Sequence, residues 1–183
     1  MKASRRLFLA LLACVACLVG CDHATKLAAE TALRDHAPLA LAPGVDLLYT
    51  ENHGVAFSAL ERLSIHPAAW VLVALALAET LVVLAWWWRR RRAGKLEHAA
   101  FALLVAGALG NTIDRAARGH VVDFIHVHFW PVFNVADVLV AGGMLLLGVL
   151  TWRRQSPPAS GVDGGTGSAH GEPSHVSTTS PVA

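Results

Sequence analysis

The feature that most constrains this chain is a set of four long apolar stretches. An α-helix rises about 1.5 Å per residue, so roughly 20 apolar residues cross a hydrocarbon core of about 30 Å. Of the 183 residues, 55% are hydrophobic and 15% are charged, and the mean hydropathy of +0.49 is high for a soluble domain. We therefore predict an all-α membrane protein with four transmembrane helices, at residues 7–28, 68–88, 96–113 and 135–152.

The distribution of basic residues predicts the orientation of these helices. In a four-span arrangement they cluster on one side of the membrane, which the positive-inside rule assigns to the cytoplasm. Both termini then lie in the cytoplasm, and the connections at 34–63 and 115–133 lie on the extracytoplasmic face. Because membrane topology explains the basic residues, nucleic-acid binding is not expected. The residues concerned are Lys2, Arg5, Arg6, Arg89, Arg90, Arg91, Arg92, Lys95, Arg153 and Arg154.

The first extracytoplasmic connection, residues 34–63, contains prolines and glycines that break helices. Two short strand-like patterns, at 45–49 and 55–59, flank a polar turn that holds Asn52. We predict a small extracytoplasmic β element that lies on the membrane surface.

The composition changes after the fourth apolar stretch. Residues 155–183 are rich in Gly, Ser, Pro and Thr and contain almost no bulky apolar side chains. Such a segment cannot bury a core, so we predict a disordered cytoplasmic tail. Residues 1–154 then form one four-helix membrane domain.

The first apolar stretch allows a second interpretation. A basic start followed by an apolar run that ends in LVGC, at residues 18–21, resembles the signal peptide of a lipoprotein cut before Cys21. An apolar helical face continues past Cys21, however, and three more candidate spans follow, which an exported lipoprotein would lack. We therefore expect the first helix to remain uncleaved.

Polar side chains gather where the third and fourth stretches meet the outer face. Asn111, Asp114 and Arg115 are spaced i, i+3 and i+4, so they share one helix face at the end of the third stretch. Asn134 and Asp137, spaced i and i+3, begin the fourth. Ionisable residues at a membrane are costly, and they indicate a functional site by default.

Asp123 lies on the connection between these two helices, where it can meet Asp137. Two carboxylates in a poorly solvated site share a proton, which is the arrangement of an aspartic protease. Spacing leaves two alternatives open. In one, Asp137 caps the fourth helix and Asp123 caps a turn. In the other, both acids bind a metal together with His126 and His128.

Two further acids lie inside the first and second apolar stretches. Asp22 and Lys26 are four residues apart, so they predict an ion pair that anchors the helix at the interface or supports a polar cavity. Glu79 interrupts the second stretch and is expected to face protein or water. A non-enzymatic four-helix membrane protein, such as a small transporter or assembly factor with Glu79 and Asp22 lining a polar path, is therefore the alternative to a protease.

Five short motifs, in this order, resemble the lipoprotein signal peptidase family, also called signal peptidase II or prolipoprotein signal peptidase. They are D-x-x-T-K at 22–26, E-N-x-G-x-A-F-S at 51–58, G-N-x-I-D-R at 110–115, V-V-D-F at 121–124 and F-N-x-A-D at 133–137. Each motif is weak alone, but five in order on a four-span frame are specific. The resemblance covers about residues 7–153.

The resemblance implies an aspartic endopeptidase of the bacterial cytoplasmic (inner) membrane. Its substrates would be diacylglyceryl-modified prolipoproteins, cut just before the lipidated cysteine. It implies that Asp123 and Asp137 form the catalytic dyad and that no metal or other cofactor is needed. The residues that would line or support the pocket are Asp22, Lys26, Asn52, Asn111, Arg115 and Asn134.

Two features depart from the family pattern. His23 stands where the family usually has Gln, and the segment between the two acids looks shorter than in many members. Neither departure removes a catalytic residue. We expect a monomer whose partners are prolipoprotein substrates and membrane lipid.

Overall fold

Four helices form the body of the molecule, and the computed structural model describes residues 2–54 and 69–155. All four are long and apolar enough to cross a membrane, so the predicted four-helix membrane architecture is confirmed. The helices are α1 (Lys2–Leu33), α2 (Ala69–Arg89), α3 (Lys95–Arg118) and α4 (Val135–Gln155).

Helix α3 lies at the centre of the bundle. Its most apolar window is 56% buried inside the protein, compared with 11–17% for the other three helices. Small side chains allow this central position, and Ala100 and Ala106 are fully buried. A Cβ atom on Gly143 would lie 2.8 Å from the carbonyl oxygen of Ala100. Glycine at that position therefore lets α4 pack closely against α3.

Helix α3 extends beyond its predicted end at residue 113. Thr112, near this end, is satisfied inside the protein, since its Oγ1 donates a hydrogen bond of 2.7 Å to the Ala108 carbonyl. The helix ends at Gly119, whose φ of +79° is the left-handed conformation that glycine adopts without strain. Its N–H donates to the Arg115 carbonyl at 3.0 Å, and the chain turns directly into a strand.

A three-stranded antiparallel sheet, in the order β1–β2–β3, covers the carboxyl end of α1. Across the β2–β3 ladder, Thr50 lies opposite Asp123 and Asn52 lies opposite Val121. Phe124 packs against Ala29 and the end of α1. The sheet therefore carries Asn52 and Asp123 to the same end of the bundle as the start of α4. The strands are β1 (Leu39–Ala42), β2 (Val45–Asn52) and β3 (Val121–Val127).

Some expectations about the connections need correction. The predicted strand at 45–49 is part of β2, but β1 was not predicted, and the predicted strand at 55–59 lies outside the described residues. Asn52 ends β2, and its Oδ1 accepts the Gly54 N–H at 2.7 Å, so it forms the expected turn. Gln155, predicted to begin the tail, is the last residue of α4, and residues 156–183 are outside the described part of the chain.

The two acids of the alternative polar path, Glu79 and Asp22, differ in burial. Glu79 was expected to face protein or water, and it is exposed on the surface of α2 rather than packed inside the protein. Asp22 is completely buried. A transport path shared by these two residues is therefore not formed. Helix α1 runs without a break through Cys21.

Candidate active site

The first turn of α4 is closed by two reciprocal hydrogen bonds. The Asp137 N–H donates to Asn134 Oδ1 at 3.0 Å, and the Asn134 N–H donates to Asp137 Oδ2 at 3.2 Å. This is a capping box in which Asn134 is the N-cap and Asp137 the third helical residue. The interpretation of Asp137 as a cap is thus partly right. Its other oxygen, Oδ1, accepts a hydrogen bond of 2.8 Å from Asn111 Nδ2.

Asp123 lies on β3 with only 2% of its surface exposed. Its two oxygens accept hydrogen bonds from Asn52 Nδ2 at 2.8 Å and from Asn134 Nδ2 at 2.6 Å. Burial raises the pKa of Asp123 to about 6, and the negative charge of Asp137 adds to the rise, whereas the two amide donors oppose it. Since Asp123 is a strand residue, the interpretation in which it caps a turn is wrong.

Two asparagine side chains connect the carboxyl groups. The Asn134 amide donates one proton to Asp123 and the other to Asn111 Oδ1, at 3.2 Å. Asn111 in turn donates to Asp137. The structure therefore brings Asp123 and Asp137 into one hydrogen-bonded cluster, with the amides of α3 and α4 fixing both carboxyl orientations.

A buried ion-pair triad supports this cluster from α1. Lys26 Nζ lies 2.7 Å from both Asp22 Oδ2 and Asp114 Oδ2, so it forms an ion pair with each acid. It also donates a hydrogen bond of 3.0 Å to Asn111 Oδ1. Lys26 and Asp22 are 0% exposed and Asp114 is 1% exposed. Asp22 Oδ1 also accepts the Ala136 N–H at 2.8 Å, a donor that the α4 helix leaves free. The predicted Asp22–Lys26 ion pair is present, and its burial favours the supporting role over an exposed anchor.

The neighbouring residues Asp114 and Arg115 have different environments. Asp114, which sequence reasoning placed on the same face as Asn111 without giving it a role, is the member that enters the buried triad. The three-residue spacing from Asn111 was the signal for it. Arg115 is half-buried, and its guanidinium makes no hydrogen bond or ion pair with any residue that the structure describes.

His23 lies at the edge of the triad. Its Nε2 is 3.7 Å from Asp114 Oδ1, and its Nδ1 is 3.2 Å from the Val19 carbonyl oxygen. A hydrogen-bonding side chain is therefore retained at the position where the family usually has Gln.

The interpretation of a metal site built from Asp123, Asp137 and two histidines is wrong. His126 and His128 lie beside Asp46 instead. Within residues 2–54 and 69–155, two groups bring three possible metal ligands together, and neither contains Asp123 or Asp137. These groups are Asp46 with His126 and His128, and Glu51 with His53 and His120.

The arrangement is suited to general acid–base chemistry. Asp123 is buried and holds a proton more tightly than an ordinary carboxyl group. Asp137 accepts two N–H donors at the positive end of a helix, a setting that stabilises a negative carboxylate. A buried, protonated acid beside an ionised carboxylate is the pairing that such catalysis requires.

Comparison with known proteins gives consistent results. The family model described as Signal peptidase (SPase) II matches residues 14–153. The lipoprotein signal peptidase of Methylorubrum extorquens is 38% identical over 169 residues, which cover 89% of this chain and 94% of that protein. That of Allorhizobium ampelinum is 40% identical over 141 residues, covering 73% of this chain and 83% of that protein.

Solved structures show the same fold. Two structures of a bacterial membrane enzyme, at 2.3 Å and 1.9 Å resolution, superpose with TM-scores of 0.67 and 0.66 and sequence identities of 23% and 24%. Each alignment covers 80% of this chain, and 90% and 94% of the respective solved chains. With the family model and the two relatives, these findings lead to one conclusion: the chain belongs to the signal peptidase II family.

Proposed function

We propose that this protein is a membrane-embedded aspartic endopeptidase that removes the signal peptide from diacylglyceryl-modified prolipoproteins. Cleavage falls just before the lipidated cysteine. The observation that carries the proposal is the hydrogen-bonded cluster that holds Asp123 and Asp137 together in a member of this family. The relatives named above are lipoprotein signal peptidases, which supports this substrate class.

The two acids have different roles in this proposal. Asp123 is the acid assigned the shared proton, because burial raises its pKa to about 6, above the ordinary value of a carboxyl group. Asp137 acts as the general base. It takes a proton from a water molecule, whose oxygen attacks the scissile carbonyl carbon, while Asp123 gives its proton to the carbonyl oxygen.

The resulting tetrahedral intermediate collapses in the second step. Asp137 passes its proton to the leaving nitrogen as the C–N bond breaks, and Asp123 recovers its proton from a hydroxyl of the intermediate. Both acids return to their starting states, so the cycle consumes one water molecule and needs no metal or cofactor.

The other site residues orient these groups. Asn52, Asn111 and Asn134 hold the carboxyl groups through the hydrogen bonds described above. Asp22 and Lys26, with Asp114, fix the position of Asn111 and of the α4 terminus. Arg115, which has no partner among the described residues, orients the substrate.

The charge distribution supports an extracytoplasmic site in the inner membrane. The basic segments lie at the start of α1, around the α2–α3 connection and at the end of α4. The carboxyl pair lies at the other end of the bundle, near the end of α3 and the start of α4. The positive-inside rule therefore assigns the pair to the outer face and both termini to the cytoplasm.

The test is a processing assay with the purified protein in proteoliposomes. A diacylglyceryl-modified precursor and the same precursor without lipid are compared by gel shift, and the new N-terminus is identified by mass spectrometry. We expect one cut, before the lipidated cysteine, in the modified precursor alone. A folded protein that cuts neither precursor, or cuts both equally, would contradict the proposal.

A Glu79→Gln variant separates the enzyme from the transporter alternative. Glu79 is exposed on α2, away from the buried acids, so processing should be unchanged. Loss of processing in a folded Glu79→Gln protein, with retention in Asp123→Asn, would contradict the proposed roles of these acids.

A further inference from the structure

A second group of ionisable side chains lies on the outer sheet and is not used by the proposed chemistry. It consists of Asp46 on β2, His126 on β3 and His128, which follows the last residue of β3. Asp46 lies directly opposite His126 in the antiparallel ladder. Because side chains alternate along a strand, His126 projects from the face opposite to that of Asp123.

The donor atoms of this group are already close. Asp46 Oδ2 lies 2.8 Å from His128 Nε2 and 3.7 Å from His126 Nδ1. The centroids of the two imidazole rings are 5.4 Å apart. One ligand atom from each residue falls within 4.8 Å of the other two. A tetrahedral zinc ion with bonds of about 2.1 Å separates its ligand atoms by about 3.4 Å, so small side-chain rotations reach that geometry.

Two further observations favour a ligand at this position. His126 Nδ1 is a buried atom without a hydrogen-bond partner. The backbone near His128 is fixed, since its N–H donates to the carbonyl of Gly44 at 3.1 Å, and Gly44 occupies the β1–β2 turn with a φ of +81°. The site is thus a fixed frame with an unsatisfied imidazole nitrogen.

The group of Glu51, His53 and His120 is a poorer candidate. Glu51 already accepts hydrogen bonds from Tyr49 at 2.9 Å and from Arg34 at 3.1 Å. Both donors are on Oε1, whereas His53 and His120 face Oε2, so a metal ion on Oε2 would share the carboxylate with these donors and lie near a positive guanidinium. Asp46, in contrast, has histidines as its polar neighbours in the described interactions.

We propose that Asp46, His126 and His128 bind one divalent transition-metal ion of the zinc class. Two imidazoles and one carboxylate suit zinc, and a water molecule completes the fourth position. The ligating nitrogens must be free of protons, so the ion replaces the hydrogen bond between Asp46 and His128. The metal links β2 to β3 and takes no part in peptide cleavage.

The experiment measures zinc binding to the full chain, purified with an affinity tag that contains no histidine and treated with a chelator. Competition with a chromogenic chelator gives the affinity, and thermal unfolding with and without Zn²⁺ gives a second readout. We expect zinc to raise the midpoint of unfolding of the wild type, because it binds the folded state. Asp46→Asn and His128→Gln should weaken zinc binding at least about tenfold and abolish the thermal shift.

Control variants make the assignment specific. His36→Ala removes an exposed histidine outside the cluster and should bind zinc as the wild type does. His128 is 59% exposed, so its variant is expected to fold. Wild-type zinc affinity in both Asp46→Asn and His128→Gln would overturn the proposal. Loss of binding in His53→Ala with retention in those two variants would also overturn it, since the other cluster would then be the site.

Discussion

Replacement of Lys26 by methionine should strongly destabilise the protein. Lys26 is completely buried and contacts two buried carboxylates, Asp22 and Asp114, each at 2.7 Å. Methionine has a similar length, so the packing is largely preserved while the positive charge is lost. Two buried carboxylates would then lack their shared counter-ion.

The magnitude follows from the cost of an uncompensated buried charge. Removal of one partner of a buried ion pair costs about 3–5 kcal/mol, and here one lysine serves two acids, so we expect the upper end of that range. The total stability of a protein is about 5–15 kcal/mol, so this loss is a large share of it. Lys26 also donates to Asn111 Oδ1, and its loss frees the amide that donates to Asp137.

The assay is reversible unfolding in mixed micelles, followed by tryptophan fluorescence. Arg34→Met is the matched control, because Arg34 is 52% exposed and its pair with Glu30 should contribute about 0–1 kcal/mol. A triple variant that combines Lys26→Met with Asp22→Asn and Asp114→Asn should recover most of the lost stability. A Lys26→Met protein as stable as the Arg34→Met control would refute the reasoning.

Three further predictions concern acidity, packing and the opposite end of the bundle. Asn52 donates to Asp123 and lowers its pKa, so Asn52→Ala should raise that pKa. In the wild type, kcat/KM should fall as the pH rises through about 6, because Asp123 loses its proton, and in the variant this fall should occur at higher pH. If kcat/KM of Asn52→Ala fell at the same pH as in the wild type, or at a lower pH, the role of Asn52 would be contradicted. A Cβ on Gly110 would lie 2.6 Å from Asp22 Oδ2, so Gly110→Ala should cost about 1–3 kcal/mol in unfolding measurements, whereas Gly148→Ala, with open space around it, should be tolerated. Glu97 is 5% exposed and pairs with Arg154 at 2.9 Å, far from the carboxyl pair, so Glu97→Gln should lower stability and leave the cleavage rate of the folded protein unchanged. A reduced rate in folded Glu97→Gln would contradict this.

The helices could be predicted from the sequence because hydropathy and length are local properties. The end of α3 was placed five residues early because the apolar stretch that marks the helix stops at Ile113. In the structure, Asp114 is satisfied by Lys26 from α1, and that contact cannot be read from a local pattern. Whether Glu79 faces protein or water was left open for a similar reason, since hydropathy does not show which way a helix face turns.

The site was only partly predictable. Helical spacing correctly grouped Asn111 with Asp114 and Asn134 with Asp137. The contact between Asp22 and the Ala136 N–H joins residues 114 positions apart, and sequence spacing has no information about it. The pairing of β2 with β3, which brings Asn52 to Asp123, is likewise a non-local choice of register.

The most direct test of the central claim is the single-turnover cleavage rate of a diacylglyceryl-modified precursor by Asp123→Asn and Asp137→Asn. Each variant is compared with Asp35→Asn, in which the altered acid is exposed on the surface. The account predicts that both variants fold and insert normally but cleave about 10²–10⁴-fold more slowly, as expected when a general acid or base is lost. Asp35→Asn should cleave at the wild-type rate. A folded Asp123→Asn or Asp137→Asn protein with wild-type activity would contradict the account.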